Sequence, residues 1–120
     1  MHALIIEDEA LVFLLFRDFL SETGFVTFDA ATTETKAIEY ALRQCPDIII
    51  ADYKLAQGTG LDAVNAICRK TPVPVIFVTA TPHLLGKTPA GSVVLKKPTT
   101  EDQFRAAYET VMKSRPANGL

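Results

Sequence analysis

Polar residues stand directly after short apolar runs of this chain, at the positions where β-strands are expected to end. Glu7 and Asp8 follow the apolar residues 3–6, and Asp52 follows the largely apolar residues 47–51. If the strands are parallel, their carboxyl ends lie at one edge of one sheet, and the three carboxylates gather there. Close carboxylates repel one another strongly unless positive charge lies among them. The pattern therefore predicts a site that takes a hard divalent cation and a lysine at this edge.

Two more polar residues occupy the same kind of position on later strands. Thr79 closes the apolar run 75–78, and Lys97 comes just after the run 92–95, with Pro98 directly behind it. The Lys97 ammonium supplies positive charge, and the Thr79 hydroxyl can donate a hydrogen bond. Both groups are suited to contacting the oxygens of a phosphoryl group.

Strand-like and helix-like segments alternate along the whole chain, which predicts an α/β fold. The expected strands are residues 3–6, 25–28, 47–51, 75–78 and 92–95. The first expected helix covers residues 9–22 and is ended by Gly24, and the second is capped by Thr32 or Thr33 and has an apolar face of Ala37, Ile38, Ala41 and Leu42. The third expected helix has an apolar face of Leu61, Val64, Ile67 and Cys68. The last is capped by Thr99 or Thr100 and has an apolar face of Phe104, Ala107, Tyr108, Val111 and Met112. With right-handed crossovers, we expect a doubly wound, flavodoxin-like parallel sheet in the order 2-1-3-4-5. Ligands bind where such an order reverses, here between strands 1 and 3, which carry the carboxylates.

The helix expected between the fourth and fifth strands is degenerate. Residues 80–91 contain two prolines and two glycines, which leave no room for three helical turns. We predict a single turn at residues 82–85, followed by loop. Few helix-forming residues also predict low local stability for residues 81–91.

The first helix carries more apolar residues than one buried stripe needs. If Val12, Leu15, Phe16 and Phe19 face the sheet, then Leu11 and Leu14 lie toward its edge or toward solvent. Exposed apolar surface of this kind often marks a partner site. It would border the predicted pocket, which favours docking of a protein near Leu11 and Leu14.

Composition narrows the class of protein further. The chain has 120 residues, 48% of them hydrophobic, and a formal net charge of −2. This fits one globular domain, expected over residues 1–113, with a short flexible tail at 114–120. The basic residues are scattered, so no nucleic-acid surface is expected. The apolar runs are too short to span a bilayer and no signal peptide precedes the first strand, so a cytoplasmic location is expected.

The two cysteines show no metal-ligand or redox spacing. Cys45 and Cys68 stand alone in the sequence. We expect both to be unpaired core residues of a protein in a reducing compartment.

The carboxylates suggest specific roles in metal binding. Mg²⁺ prefers oxygen ligands in near-octahedral geometry and usually keeps several waters. Asp8 and Asp52 are the expected direct ligands, the longer Glu7 can hold a metal-bound water, and the backbone carbonyl of Lys54 can add an oxygen. An aspartate can also attack phosphorus and form an acyl phosphate, which is open to Asp52.

Five short motifs resemble those of a known family. They are Glu7-Asp8, Asp52 within residues 49–55, Gly60-Leu61, Thr79-Ala80 and Lys97-Pro98. In this order, at the ends of the predicted strands, they resemble the receiver domain of two-component response regulators over nearly the whole chain. The resemblance implies that the acidic pair binds Mg²⁺ and that Asp52 accepts a phosphoryl group from a histidine kinase or phosphotransfer protein. It also implies that Thr79 and Lys97 read out the phosphate, and that the Lys97–Pro98 peptide is cis.

Two residues depart from that family pattern. Ala56 stands where the family usually has proline, and Val94 stands where it usually has Tyr or Phe, the ring that turns inward when the threonine moves. Residues 77–86 resemble an atypical subgroup named for a Phe-Ala-Thr-Gly segment, and also resemble receivers of the alphaproteobacterial general stress response. We therefore expect residues 81–91, and not an aromatic ring, to respond to phosphorylation. Lys54 and Thr81, each two residues past a site residue, are candidates to control the phosphoryl lifetime.

The sequence alone is compatible with several functions. The leading interpretation is a stand-alone receiver that signals by protein contact to an unknown target. Such a receiver is not expected to be an enzyme, and it promotes only its own aspartyl phosphorylation and dephosphorylation. A receiver-like binding module that works without phosphorylation is the main alternative. A Mg²⁺-dependent phosphatase of the haloacid dehalogenase type would need an acid where Lys54 stands. A flavin or nucleotide binder would need a phosphate-binding loop after the first strand.

Overall fold

The computed structural model describes residues 1–113 and shows a five-stranded parallel sheet covered by helices on both faces. The strand order is β2-β1-β3-β4-β5, as predicted. The elements are β1 His2–Ile6, α1 Ala10–Glu22, β2 Thr27–Ala31, α2 Glu34–Arg43, β3 Ile48–Ala51, α3 Gly60–Lys70, β4 Val75–Thr79, β5 Val93–Lys96 and α4 Glu101–Lys113. The tail predicted at residues 114–120 lies outside the described residues.

Two apolar layers sandwich the sheet because strand side chains point alternately to its two faces. On one face, Ile5 and Ile50 pack under α1 and α4, where the Phe16 and Phe104 rings stack with centroids 5.1 Å apart. On the other face, Leu4 and Ile49 pack under α2 and α3. The central strands are buried on both faces, which explains their continuous apolar sequences.

Side-chain caps start three of the helices. Thr33 Oγ1 accepts from the backbone N–H of Lys36 at the start of α2, and Thr59 Oγ1 accepts from Asp62 at the start of α3. Before α4, Thr100 Oγ1 accepts from the Gln103 N–H while Gln103 Oε1 accepts from the Thr100 N–H, each at 3.1 Å or less. This reciprocal pair is a capping box, and it selects Thr100 over Thr99 as the cap.

The predicted second strand was placed two residues too early. Phe25 does not pair in the sheet there, because its N–H donates to Leu20 O and so closes the end of α1. Gly24 adopts φ +102° just past that helix end, as its predicted role requires. The strand pairs with β1 only from Thr27 onward.

Three predicted core residues lie at the surface. Leu15 is 68% exposed and Leu42 is 64% exposed, because each lies away from the sheet on its helix. Cys45 is also exposed, since it follows the end of α2, whereas Cys68 is half-buried and unpaired as expected. Burial raises the pKa of the Cys68 thiol.

The segment between β4 and β5 contains a single 3₁₀ turn, Pro82–Leu84, as predicted. No full helix covers the sheet here within the described residues, so Val94 on β5 remains 39% exposed. None of the helices in residues 1–113 combines the length and apolar character needed to cross a membrane.

Candidate functional site

The three carboxylates meet at the carboxyl edge of the sheet, between β1 and β3. Ile6 pairs with Ala51, the last residue of β3, and the Asp52 N–H donates to Ile6 O at 2.9 Å. This register places carboxylate oxygens of Glu7, Asp8 and Asp52 all within 4.8 Å of one another. Glu7 and Asp52 are buried, and Asp8 faces solvent. The cluster predicted from the strand ends is therefore confirmed.

Lys97 follows β5, the strand at one end of the sheet order, and its side chain extends into this cluster. Its Nζ lies 2.7 Å from Glu7 Oε1 and 3.0 Å from Asp52 Oδ2, and Glu9 Oε1 is 3.9 Å away. The backbone supports this reach, because the Lys97 N–H donates to Thr79 O at 2.9 Å. The Lys97–Pro98 peptide is cis, as the resemblance implied. One ammonium thus neutralises part of the charge of two buried acids.

Burial and this ion pair shift the ionisation of two groups. Burial raises the pKa of Glu7 to about 7, although the hydrogen bond from Lys97 acts in the opposite direction. Burial also acts against the Lys97 cation, but its bonds to Glu7 and Asp52 outweigh that effect and raise the pKa of Lys97 above its ordinary value. The lysine therefore stays charged at neutral pH.

Backbone amides hold the two buried carboxylates in fixed orientations. Glu7 Oε2 accepts from the N–H groups of Asp8 at 3.0 Å and Glu9 at 3.4 Å. Asp52 Oδ1 accepts from the Tyr53 N–H at 2.6 Å. Each acid thus uses one oxygen for a backbone amide and the other for Lys97, while Asp8 keeps its carboxylate at the open side of the cluster.

Thr79 lies at the end of β4, next to this cluster in the sheet. Its side chain is buried, and its Oγ1 accepts from the Thr81 N–H at 3.2 Å and lies 3.3 Å from Thr81 Oγ1. The hydroxyl therefore links the edge of the site to the start of the segment between β4 and β5. Thr81 is half-buried at that junction.

Gly60 has a structural role that strand-end reasoning did not find. A Cβ at this position would collide with the carbonyl oxygen of Asp52, so only glycine lets α3 begin so close to β3. The Gly60 N–H donates to Tyr53 O at 2.9 Å. Lys54 and Thr59 form an antiparallel bridge in the same loop. The Lys54 carbonyl as a metal ligand stays a prediction.

The chemistry of this donor set fits a small hard cation. Asp8 offers carboxylate oxygens at the open side, with Glu7 and Asp52 oxygens within reach, and Mg²⁺ favours such oxygens. The Lys97 ammonium beside them is placed to contact an added anion. The Asp52 carboxylate therefore lies between oxygens suited to a cation and an ammonium suited to an anion.

Comparison with known proteins agrees with this geometry. The sequence profile described as the response regulator receiver domain matches residues 3–109. PhyR of Methylorubrum extorquens, described as a phyllosphere-induced regulator, is 39% identical over 99 residues, which cover 79% of this chain and 37% of that protein. The chain thus spans little more than a third of that curated relative.

Solved structures show the same similarity. The PhyR receiver domain of Erythrobacter litoralis superimposes with a TM-score of 0.86 at 32% identity, covering 99% of this chain and 95% of that chain. PhyR of Brucella abortus has a TM-score of 0.83 at 30% identity, covering 94% of this chain and 48% of that one. With the profile matched over most of its length, the chain belongs to the response regulator receiver domain family.

Proposed function

We propose that this receiver domain accepts a phosphoryl group on Asp52 from a histidine kinase or histidine phosphotransfer protein, in a Mg²⁺-dependent reaction, and signals by protein contact. One observation carries the proposal. The Asp52 carboxylate lies between a lysine ammonium 3.0 Å away and two further carboxylates, at the edge where the strand order reverses. This arrangement provides a nucleophile, a cation site and a group that neutralises phosphoryl oxygens.

Asp8, Asp52 and the Lys54 carbonyl are the proposed direct ligands of Mg²⁺, with Glu7 behind them holding a metal-bound water. When bound, the ion would supply positive charge against the phosphoryl oxygens. Glu7 is suited to a supporting role because its two oxygens already contact Lys97 and the Asp8 and Glu9 amides. The exposed Asp8 is the most accessible of the three acids.

The residues at this edge supply the chain's own part of the transfer. An oxygen of Asp52 forms a bond to phosphorus as the bond between phosphorus and the donor's histidine nitrogen breaks, and the nitrogen keeps the electron pair. Lys97 then contacts a phosphoryl oxygen in place of the carboxylate oxygen that it now holds. Thr79 donates its hydroxyl to another phosphoryl oxygen once it releases Thr81.

A groove between α1 and α4 is the proposed docking site for the phosphodonor. Its volume is about 660 Å³, and it runs from Lys97 and Pro98 along Leu15 and Phe16 to Phe104. The exposed Leu11 lies one helical turn from Leu15, so the apolar surface extends toward the start of α1, just after Asp8. Leu14 is also exposed, as predicted, but Leu15 is the leucine that lines the groove. Acidic side chains at the rim favour a helix that carries basic residues beside its apolar face; they are Glu9, Asp18, Glu22 and Glu101.

The site assignment is tested by labelling with a small phosphodonor. The protein is incubated with acetyl phosphate and Mg²⁺, and its intact mass is measured. We expect a gain of one phosphoryl group, labile to base and hydroxylamine, which is lost in Asp52→Asn. Full labelling of Asp52→Asn would contradict the assignment. An unlabelled wild-type protein that still binds a partner would favour the phosphorylation-independent binding module.

The docking site is tested by comparing two donors. Leu11→Ser with Leu15→Ser should slow transfer from a phosphorylated histidine protein at least tenfold, because apolar contact is lost from the interface. Transfer from acetyl phosphate should stay within twofold of wild type. Leu14→Ser is the matched control and should have a smaller effect. Equal losses with both donors would indicate a folding defect and count against the interface.

A further inference from the structure

The loop between β3 and α3, residues 52–59, is fastened to the start of α2 by hydrogen bonds in both directions. The Glu34 N–H donates to Gln57 O at 2.9 Å, and Gln57 Oε1 lies 3.4 Å from the Thr35 N and 3.3 Å from its Oγ1. In return, Glu34 Oε1 accepts from the Thr59 N–H at 3.1 Å. The first N–H groups of a helix lack partners within it. Gln57 therefore satisfies donors at the start of α2, and Glu34 satisfies the Thr59 donor at the start of α3.

Two small residues permit this close approach. Gly58 adopts φ +73°, and a Cβ there would collide with the Glu34 side chain. Ala56 donates its N–H to Thr32 O at 3.1 Å. Proline has no such donor, so the residue that departs from the family pattern makes a bond which proline cannot make. Hydrogen bonding thus replaces a stiff ring in this loop.

The fastened residues lead directly to the metal and phosphoacceptor site. Thr59, held by Glu34, forms the antiparallel bridge with Lys54. The next residue, Gly60, donates to Tyr53 O and lies against the Asp52 carbonyl. Displacement of Thr59 would therefore move the backbone at Lys54 and Tyr53, which flank Asp52 on its loop side.

We propose that Glu34, assisted by Gln57, is a positioning residue for the metal site: it holds the loop so that the Lys54 carbonyl stays in reach of a cation bound to Asp8 and Asp52. Glu34 acts through Thr59 and Lys54 and touches neither phosphoryl group nor metal. The metal role of Lys54 rests on the proposed function, whereas the fastening itself does not. Half-burial of Glu34 between α2 and the loop strengthens its bond to Thr59 by excluding water.

The first arm of the test uses protein without metal. Amide hydrogen exchange at residues 56–60 should be about five- to tenfold faster in Glu34→Ala than in wild type. Glu34→Gln keeps an oxygen that can accept from Thr59, so it should stay within twofold of wild type. Glu39→Ala removes an exposed glutamate from the same helix and is the matched control. Unchanged exchange in Glu34→Ala would overturn the fastening.

The second arm measures Mg²⁺ binding by calorimetry and the Mg²⁺ dependence of acetyl phosphate labelling. In Glu34→Ala the half-saturating Mg²⁺ concentration should rise about fivefold, while the labelling rate at saturating Mg²⁺ should recover to within twofold. Gln57→Ala should shift in the same direction by less. Faster exchange with unchanged Mg²⁺ affinity would overturn the positioning role. A wild-type protein that binds no Mg²⁺ would overturn the proposed function, while the exchange result would still decide whether the fastening exists.

Discussion

Two loops leave the same edge of the sheet beside the site, and the structure holds them in opposite ways. The loop after β3 bonds across to another element, through Ala56, Gln57 and Thr59. The segment after β4 bonds within itself, as in Leu84 N–H to Thr81 O and Ser92 N–H to Pro89 O. We therefore expect the loop after β3 to be a fixed side of the site, and the segment after β4 to be the side that reorders. Four measurements can break or sharpen this contrast.

Alanine substitution of one glycine in each of the two regions should give the largest difference between them in the free energy of unfolding. Gly60→Ala should lower the free energy of unfolding by roughly 2–3 kcal/mol, because its Cβ would collide with the Asp52 carbonyl. Gly86→Ala should change it by no more than about 0.5 kcal/mol, since no atom beyond the adjoining residues lies within 4 Å of the added Cβ. Urea denaturation measures both. Equal effects would mean that the two regions are packed alike.

Hydrogen exchange should show which loop responds. A phosphoryl group adds roughly −1.5 to −2 charge at neutral pH. Thr79 would turn toward it, and the segment that begins at Thr81 would reorder. With Mg²⁺ and beryllium fluoride as phosphoryl mimic, exchange in residues 81–91 should slow about tenfold, or roughly 1.4 kcal/mol. Residues 54–59 should change less. A change confined to β5 would show that the signal leaves by another route.

Thr79 should couple the site to the loosely held segment. Thr79→Val keeps the volume but removes the acceptor of the Thr81 N–H, which should cost about 1 kcal/mol of stability. The exchange response of residues 81–91 to the mimic should also shrink. Thr71→Val, at an exposed position after α3, is a suitable control. A full response in Thr79→Val would show that the hydroxyl does not carry the coupling.

Asp8 should have a small effect on stability and a large effect on Mg²⁺ binding. Asp8→Ala relieves repulsion with Glu7 and Asp52, so stability without metal should rise by up to about 1 kcal/mol. Mg²⁺ affinity and acetyl phosphate labelling should both fall sharply. Calorimetry with Mg²⁺ and thermal unfolding measure the two effects. Unchanged Mg²⁺ affinity would remove Asp8 from the proposed ligands.

The local sequence was sufficient to predict the sheet order, the carboxylate cluster and the single turn after β4. Apolar runs of strand length alternating with helical periodicity indicate parallel βα units, and the strand ends then place Glu7, Asp8, Asp52 and Lys97 at one edge. Predictions of burial were wrong where the packing of neighbouring elements determines it. Leu15 has an apolar side chain typical of a core residue, but its position on α1 leaves it 68% exposed.

Only the tertiary structure decided how the loop beside Asp52 is held. Glu34 and Thr59 are 25 residues apart in the sequence, and neither belongs to a pattern that pairs them. Their contact exists because β2 and β3 flank β1 in the sheet, which brings the start of α2 against the loop before α3. The strand-end residues could be predicted because each follows an apolar run in the local sequence, and a parallel sheet brings all its strand ends to one edge. Hydrogen bonds between loops depend on distances that arise only when the strands pair, and packing therefore determines them.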